Sequence, residues 1–158
     1  MQRIEEPSEK EQAWIAQQLK SAADFVSAFS PCDSGKQLSL GALDRAFAKW
    51  IASGLASNAA EANKVINCVG IAFGDLLSRG IGLKWVIATD EKGGDLAVYG
   101  LPNTGDVLVY PANFVAKRWE QRKSNFLEDS YGQIEREVRS LQSQWESHTR
   151  QGGAQNNH

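Results

Sequence analysis

Histidine is nearly missing from this chain, and that shortage excludes more chemistry than any other feature of its composition. Only His148 and His158 occur, both close to the C-terminus. A zinc site, a Cys–His pair or a Ser–His–Asp triad requires an imidazole held by a rigid framework. Neither position offers one, so histidine-based catalysis is not expected. Cysteine is as scarce, with Cys32 and Cys68 alone. Cys68 falls on an apolar helical face, where a thiol acts as a small hydrophobe. A disulfide is therefore not expected, which suits a reducing compartment. An excess of one charge is missing too: 17 basic against 19 acidic residues leave a net −2. Overall charge thus selects neither nucleic acid nor an anionic membrane. There is no long apolar run. The stretch from Val65 to Leu77 is broken by Asn67, Gly70, Gly74 and Asp75, short of the ~20 residues that a spanning helix requires. The first residues, MQRIEEPSEKEQ, are charged and lack an apolar signal core, so a cytoplasmic location is expected.

What is present reads as one α+β domain over residues 1–150, with a disordered tail over 151–158 that has nothing to bury. Ser8, followed three residues later by Glu11, predicts a capping box opening a first helix. Ile15, Leu19, Ala22, Val26 and Phe29 form its apolar stripe. The breaker-rich stretch Ser30–Gly35 ends it. Ser39 predicts the cap of a second helix and Asn58 that of a third. Gly70 and Gly74 cost the third helix about 1 kcal/mol each relative to alanine, so another element is expected to cross there closely. Gly80 and Gly82 should stop it. Three strands follow, at Leu83–Thr89, Asp95–Tyr99 and Val107–Tyr110, joined by Glu91-Lys92-Gly93-Gly94 and by Pro102–Asp106. The expected architecture is helices packed on this small three-stranded antiparallel meander. Pro111 opens a short helix to about Lys123. A last helix carries Ile134, Val138, Leu141 and Trp145, and is expected to pair with the first inside one core.

Few residues can carry chemistry. Ser34-Gly35-Lys36 and Gly80-Ile81-Gly82 resemble fragments of phosphate-binding loops, but the first lacks its upstream glycine and the second precedes a strand. Both read as turns. Asp90, Glu91, Asp95 and Asp106 gather at the two meander turns. They could hold a divalent metal or act as acid and base, but hairpin turns favour aspartate for its own backbone bonds. The two turns also lie at opposite ends of the sheet, so Asp106 should be remote from Asp90 and Glu91. Lys117, Arg118, Trp119, Arg122 and Lys123 form a basic aromatic cluster. Such a cluster suits an acidic protein surface, phosphates and stacked bases, or simply solvent with Trp119 in the core.

The order of these segments has a parallel. Gly70-x-x-x-Gly74 with Asp75-Leu76-Leu77 is followed by Leu83-Lys84-Trp85-Val86 and Asp95-Leu96-Ala97-Val98. Val109-Tyr110-Pro111 and Lys117-Arg118 complete it. Over residues 63–122 the chain resembles the bacterial domain of unknown function 3806. That resemblance implies a bacterial source and an α+β fold, and brings no activity, cofactor or catalytic residue.

The leading functional reading is a non-enzymatic cytoplasmic binding protein without cofactor or metal. Its specific version is an immunity-type protein that neutralises a toxin. The partner would be another protein, with Asp90, Glu91, Asp95, Lys117, Arg118 and Arg122 as contact residues. The alternatives are a metal-dependent hydrolase using the turn carboxylates and a nucleic-acid-binding module using the Lys117–Lys123 helix.

Overall fold

The computed structural model describes residues 3–102 and 105–155, with side chains described up to 147. Residues 103 and 104 of the second expected turn, the His148 side chain and His158 lie outside the described residues.

Three of the sequence's capping signals act as read. Ser8 caps α1 (Glu9–Phe29) in a reciprocal box with Glu11. Ser39 caps α2 (Leu40–Ala52), and Asn58 caps α3 (Ala59–Ile81) by accepting from Ala60 and Glu61. Between α1 and α2, a single 3₁₀ turn at Pro31–Asp33 carries Asp33. Its carboxylate takes Arg45 Nε at 3.0 Å and Nη2 at 2.9 Å, with the Ser30 hydroxyl at 2.5 Å. This bidentate pairing ties the linker to α2 and lowers the Asp33 pKa to about 2. Because the folded value lies below the unfolded one, the contribution is complete above about pH 4 and is lost as pH falls through about 2. A carboxyl titration followed by NMR should place the Asp33 midpoint near the lower value. Arg45→Ala should return it to the ordinary carboxylate range.

The sheet has four strands where three were expected. After β1 (Arg3–Glu5) come β2 (Lys84–Asp90), β3 (Gly93–Gly100) and β4 (Val107–Val109), antiparallel in the order β1-β2-β3-β4. The added strand, β1, precedes α1 and pairs Arg3 with Thr89 and Glu5 with Ile87. Three residues with one apolar side chain give no alternation to recognise, which is why only the partner strand reveals it. Trp85, Val98 and Val109 face the helices, while Val86, Ala88 and Ala97 form a second small cluster with Tyr99, Leu108 and Tyr110 on the opposite face.

The main core lies between the sheet and α1, α2 and α3, with Phe47, Trp50, Phe73, Leu77 and Leu127 almost fully covered. Gly70 and Gly74 mark the expected crossing: α4 (Pro111–Glu120) starts against them. Gly82, at φ +89°, ends α3, whereas Gly80 stays helical, with the Tyr131 hydroxyl filling the space that a Cβ would need. The stripes of α1 and α5 (Leu127–Gln155) do not meet in one joint interface, contrary to expectation. Each packs on α2 and α3 instead. α5 runs to Gln155, and residues 156–158 lie outside the described residues.

The start of α5 has an unusual cap. Asp44, buried on α2, accepts the backbone N–H groups of Phe126 and Leu127 through Oδ1 (3.2 and 2.9 Å) and of Glu128 through Oδ2 (3.1 Å). The helix N-terminus needs acceptors for its orphan N–H groups, and here they come from a carboxylate over 80 residues away in sequence. Both cysteines are free. Cys68 is buried, and that burial raises its thiol pKa to about 11, while Cys32 is exposed.

Candidate partner-binding site

The six expected contact residues divide into three groups. At the β2–β3 turn, Asp90 Oδ1 accepts the Lys92 N–H at 2.8 Å, so its carboxylate serves the hairpin. Glu91 is exposed beside it. The strand register pairs Asp90 with Gly93 at one end of the sheet and Gly100 with Val107 at the other. The two turns are about 20 Å apart at the usual rise per residue, and Asp106 belongs to the far one, accepting the Tyr99 hydroxyl at 2.8 Å. Among the described residues no three metal-ligating side chains come together.

The second group is the basic cluster, which the structure splits. α4 ends at Glu120, not at Lys123, because Arg122 adopts a left-handed conformation at φ +53°. The Lys123 N–H returns to the Arg118 carbonyl and that of Arg122 to the Trp119 carbonyl. This is the helix ending usually built with glycine, and an arginine in its place gives no signal in sequence. Arg122 then lies over the Trp119 ring at 4.5 Å and donates to the Trp119 carbonyl at 2.6 Å. Trp119 itself is anchored through Nε1 to the Ala56 carbonyl at 2.9 Å. The ring that the nucleic-acid alternative would stack on a base is bonded to the scaffold, with a guanidinium over it.

Lys117 and Arg118 remain on the last turn of α4, where cations complement the helix dipole. They line a hollow of about 680 Å³ with Leu108, Tyr110, Phe114 and Ile134. The Arg118 guanidinium sits 4.4 Å above the Phe114 ring and 5.9 Å from Phe126, and its Nε is buried with no hydrogen-bond partner. Arginine over an aromatic ring keeps its plane fixed and its outer donors free for an anion. Among the described residues, none of Lys117, Arg118, Arg122 and Lys123 takes part in a salt bridge, although five ion pairs form elsewhere.

Asp95, the third group, belongs to a neighbouring cavity. Tyr110 and Asn113 line the hollow just described and also a slot of about 280 Å³ on its other side. Gly94, Asp95 and Leu96 line that slot together with Glu11, Trp14 and Asn67; the register puts Leu96 on the helix side of the sheet and Asp95, opposite Ala88, on the other side. Glu11 is held in place by the Ser8 N–H, a bond that lowers its pKa and keeps it ionised. The sequence reading did not single out Glu11, Trp14, Asn67, Tyr110 or Asn113 as site residues. The available signal was Trp14, a large aromatic residue just off the apolar stripe of α1 and 39% exposed.

One protein family has a profile that matches this chain, described as a domain of unknown function (DUF3806), over residues 46–131. The match is wider than the expected 63–122, reaching into α2 and the start of α5 and so covering more than half of the chain. No curated protein and no solved structure matches.

Proposed function

The chain belongs to the DUF3806 family, and on that premise we propose that it is a non-enzymatic binding protein whose partner is another protein with an acidic surface. The observation that carries this reading is the set of cations on and after α4 that form no ion pair among the described residues, with Lys117 and Arg118 lining the 680 Å³ hollow. Four such charges in seven residues repel one another, and a complementary surface relieves that repulsion while steering association. The rigid seat of Arg118 on Phe114 supplies the kind of ordered guanidinium that dominates protein interfaces. An immunity-type protein that covers a toxin's active site is the specific form of the proposal. A toxin encoded beside this chain would be its natural partner.

Charge reversal tests it. The Lys117→Glu, Arg118→Glu double variant should weaken binding to the candidate toxin by about a hundredfold or more, with the on-rate falling most. The wild-type complex should weaken steeply as salt rises. An unchanged affinity in the double variant, or a wild-type chain that forms no complex, would overturn the reading. A thermal shift with magnesium, calcium or manganese would favour the metal enzyme instead, and retention of single-stranded RNA by the same cations would favour the nucleic-acid binder.

A further inference from the structure

The register leaves part of the sheet uncovered. β3 spans Gly93–Gly100, but β4 pairs only with Val98, Tyr99 and Gly100. Among the described residues, no strand pairs with Gly94–Ala97 on the side of β3 away from β2, because the chain turns into α4 at Pro111. In an antiparallel ladder alternate residues point their N–H and C=O groups to opposite sides. Two of these four residues therefore turn both backbone groups outward, into the 280 Å³ slot that Gly94, Asp95 and Leu96 line. Among the described residues no other hydrogen bond reaches the backbone of 94–97. Natural sheets protect such an edge with lysine or proline, and the sequence GGDLA at 93–97 has neither. Gly94 lets a second backbone come close.

The charges in the slot select the occupant. Its two titratable carboxyl side chains, Glu11 and Asp95, are both acids, and no lysine or arginine lines it. A second copy of this chain pairing antiparallel along the same edge would bring Asp95 close to its own counterpart, an arrangement of like charges that strands avoid. Basic side chains at successive positions of an added strand, by contrast, would meet Glu11 beside Trp14 on the helix side of the sheet and Asp95 beside Tyr110 on the other side. We propose that the slot is a strand-addition site: an extended segment of a partner protein pairs with β3 at Gly94–Ala97 and places one lysine or arginine toward Glu11 on the helix side of the sheet and the next toward Asp95 on the other side. This rests on the protein-binding reading and adds a second contact point to it, acidic where the α4 hollow is basic.

The test is selection from a random-peptide display library on the immobilised full-length chain, followed by affinity measurement with the selected peptides made synthetically. Enriched sequences should carry two adjacent basic residues, one for each side of the sheet, flanked by β-branched or aromatic residues. Their affinity should fall about tenfold or more with Asp95→Lys, an exposed position whose replacement leaves the fold intact. N-methylation of the peptide backbone should abolish binding at alternate positions only, the mark of a ladder. Chemical shifts should move at the 94–97 amides and the Trp14 indole. A selection that enriches nothing, peptides without a cation, or binding indifferent to Asp95→Lys and to N-methylation would each overturn the proposal. Loss of the protein partner in the Lys117→Glu, Arg118→Glu variant but not in Asp95→Lys would overturn the strand-addition site while leaving the α4 reading intact.

Discussion

Asp44→Ala should lower the unfolding free energy by about 3 kcal/mol, because it strips three backbone N–H groups of their only charged acceptor. An ordinary exposed cap is worth about 1 kcal/mol. The larger value follows from location. Phe126 and Leu127 are buried at 3% and 0% exposure, so their freed N–H groups have no ready access to water and bear the cost of burial unpaired. For a chain of this size the loss corresponds to a fall of about 6–12 °C in Tm. Asp44→Asn separates the cap from the charge. Its remaining carbonyl can keep the two bonds now made by Oδ1, but its amide would meet the Glu128 N–H as donor against donor. The expected cost is therefore smaller, about 1–2 kcal/mol. Denaturant titrations of the three proteins by circular dichroism give the ranking. Equal stability of Asp44→Ala and wild type would mean that α5 does not depend on this carboxylate.

That cap also shows where reading the sequence stops. Local signals were legible wherever donor and acceptor lie within a few residues. The Ser8–Glu11 box, the Ser39 and Asn58 caps, proline at the start of α4 and the Asp90 turn are all of this kind. Side-chain alternation placed β2 and β3 and separated their two turns. What escaped depends on groups far apart in the chain. Asp44 lies beside an apolar stripe and looks like a solvated flank until α5 arrives on it. β1 is visible only through β2. Arg122 ends α4 in a conformation that composition assigns to glycine.

The candidate site divides in the same way. Lys117 and Arg118 were legible as a charge cluster, but nothing in the sequence joins Asp95 to Glu11, more than 80 positions earlier. Their place along one slot depends on α1 lying against α3 and on β4 stopping short of the β3 edge. The carboxylates of the turns are separated by the length of the strands. The sequence kept the acids of the two turns apart, as the fold does, but gave no sign that Glu11 and Asp95 line one slot.

Gly70→Val should destabilise the fold by about 3 kcal/mol, and its sign is decided by what the new side chain would meet. In isolation, replacing a mid-helix glycine gains helix propensity, up to about 1 kcal/mol for alanine and less for the β-branched valine. At Gly70, however, a Cβ would lie 2.7 Å from Ala112 Cα and 2.9 Å from Ala112 N. These are backbone atoms and cannot rotate aside as a side-chain end could. One turn on, a Cβ at Gly74 would lie 2.5 Å from Trp85 Cη2 and 2.7 Å from Pro111 Cγ, so α3 and α4 are in close approach along this face. The overlap of one Cβ and two methyl groups must be relieved by moving α4 off α3, opening the contact around Val115 and Phe114. Gly132→Ala is the matching control. It lies in α5, where the new Cβ meets only Arg136 Nη1 at 3.4 Å, and it should stabilise by up to about 1 kcal/mol. Opposite signs for the two glycines in one set of urea titrations would show that Gly70 is required for close approach. A neutral or stabilising Gly70→Val would mean that α4 is free to shift on α3. Because α4 carries Lys117 and Arg118, the destabilised variant should also lose affinity for an acidic partner under conditions where it remains folded.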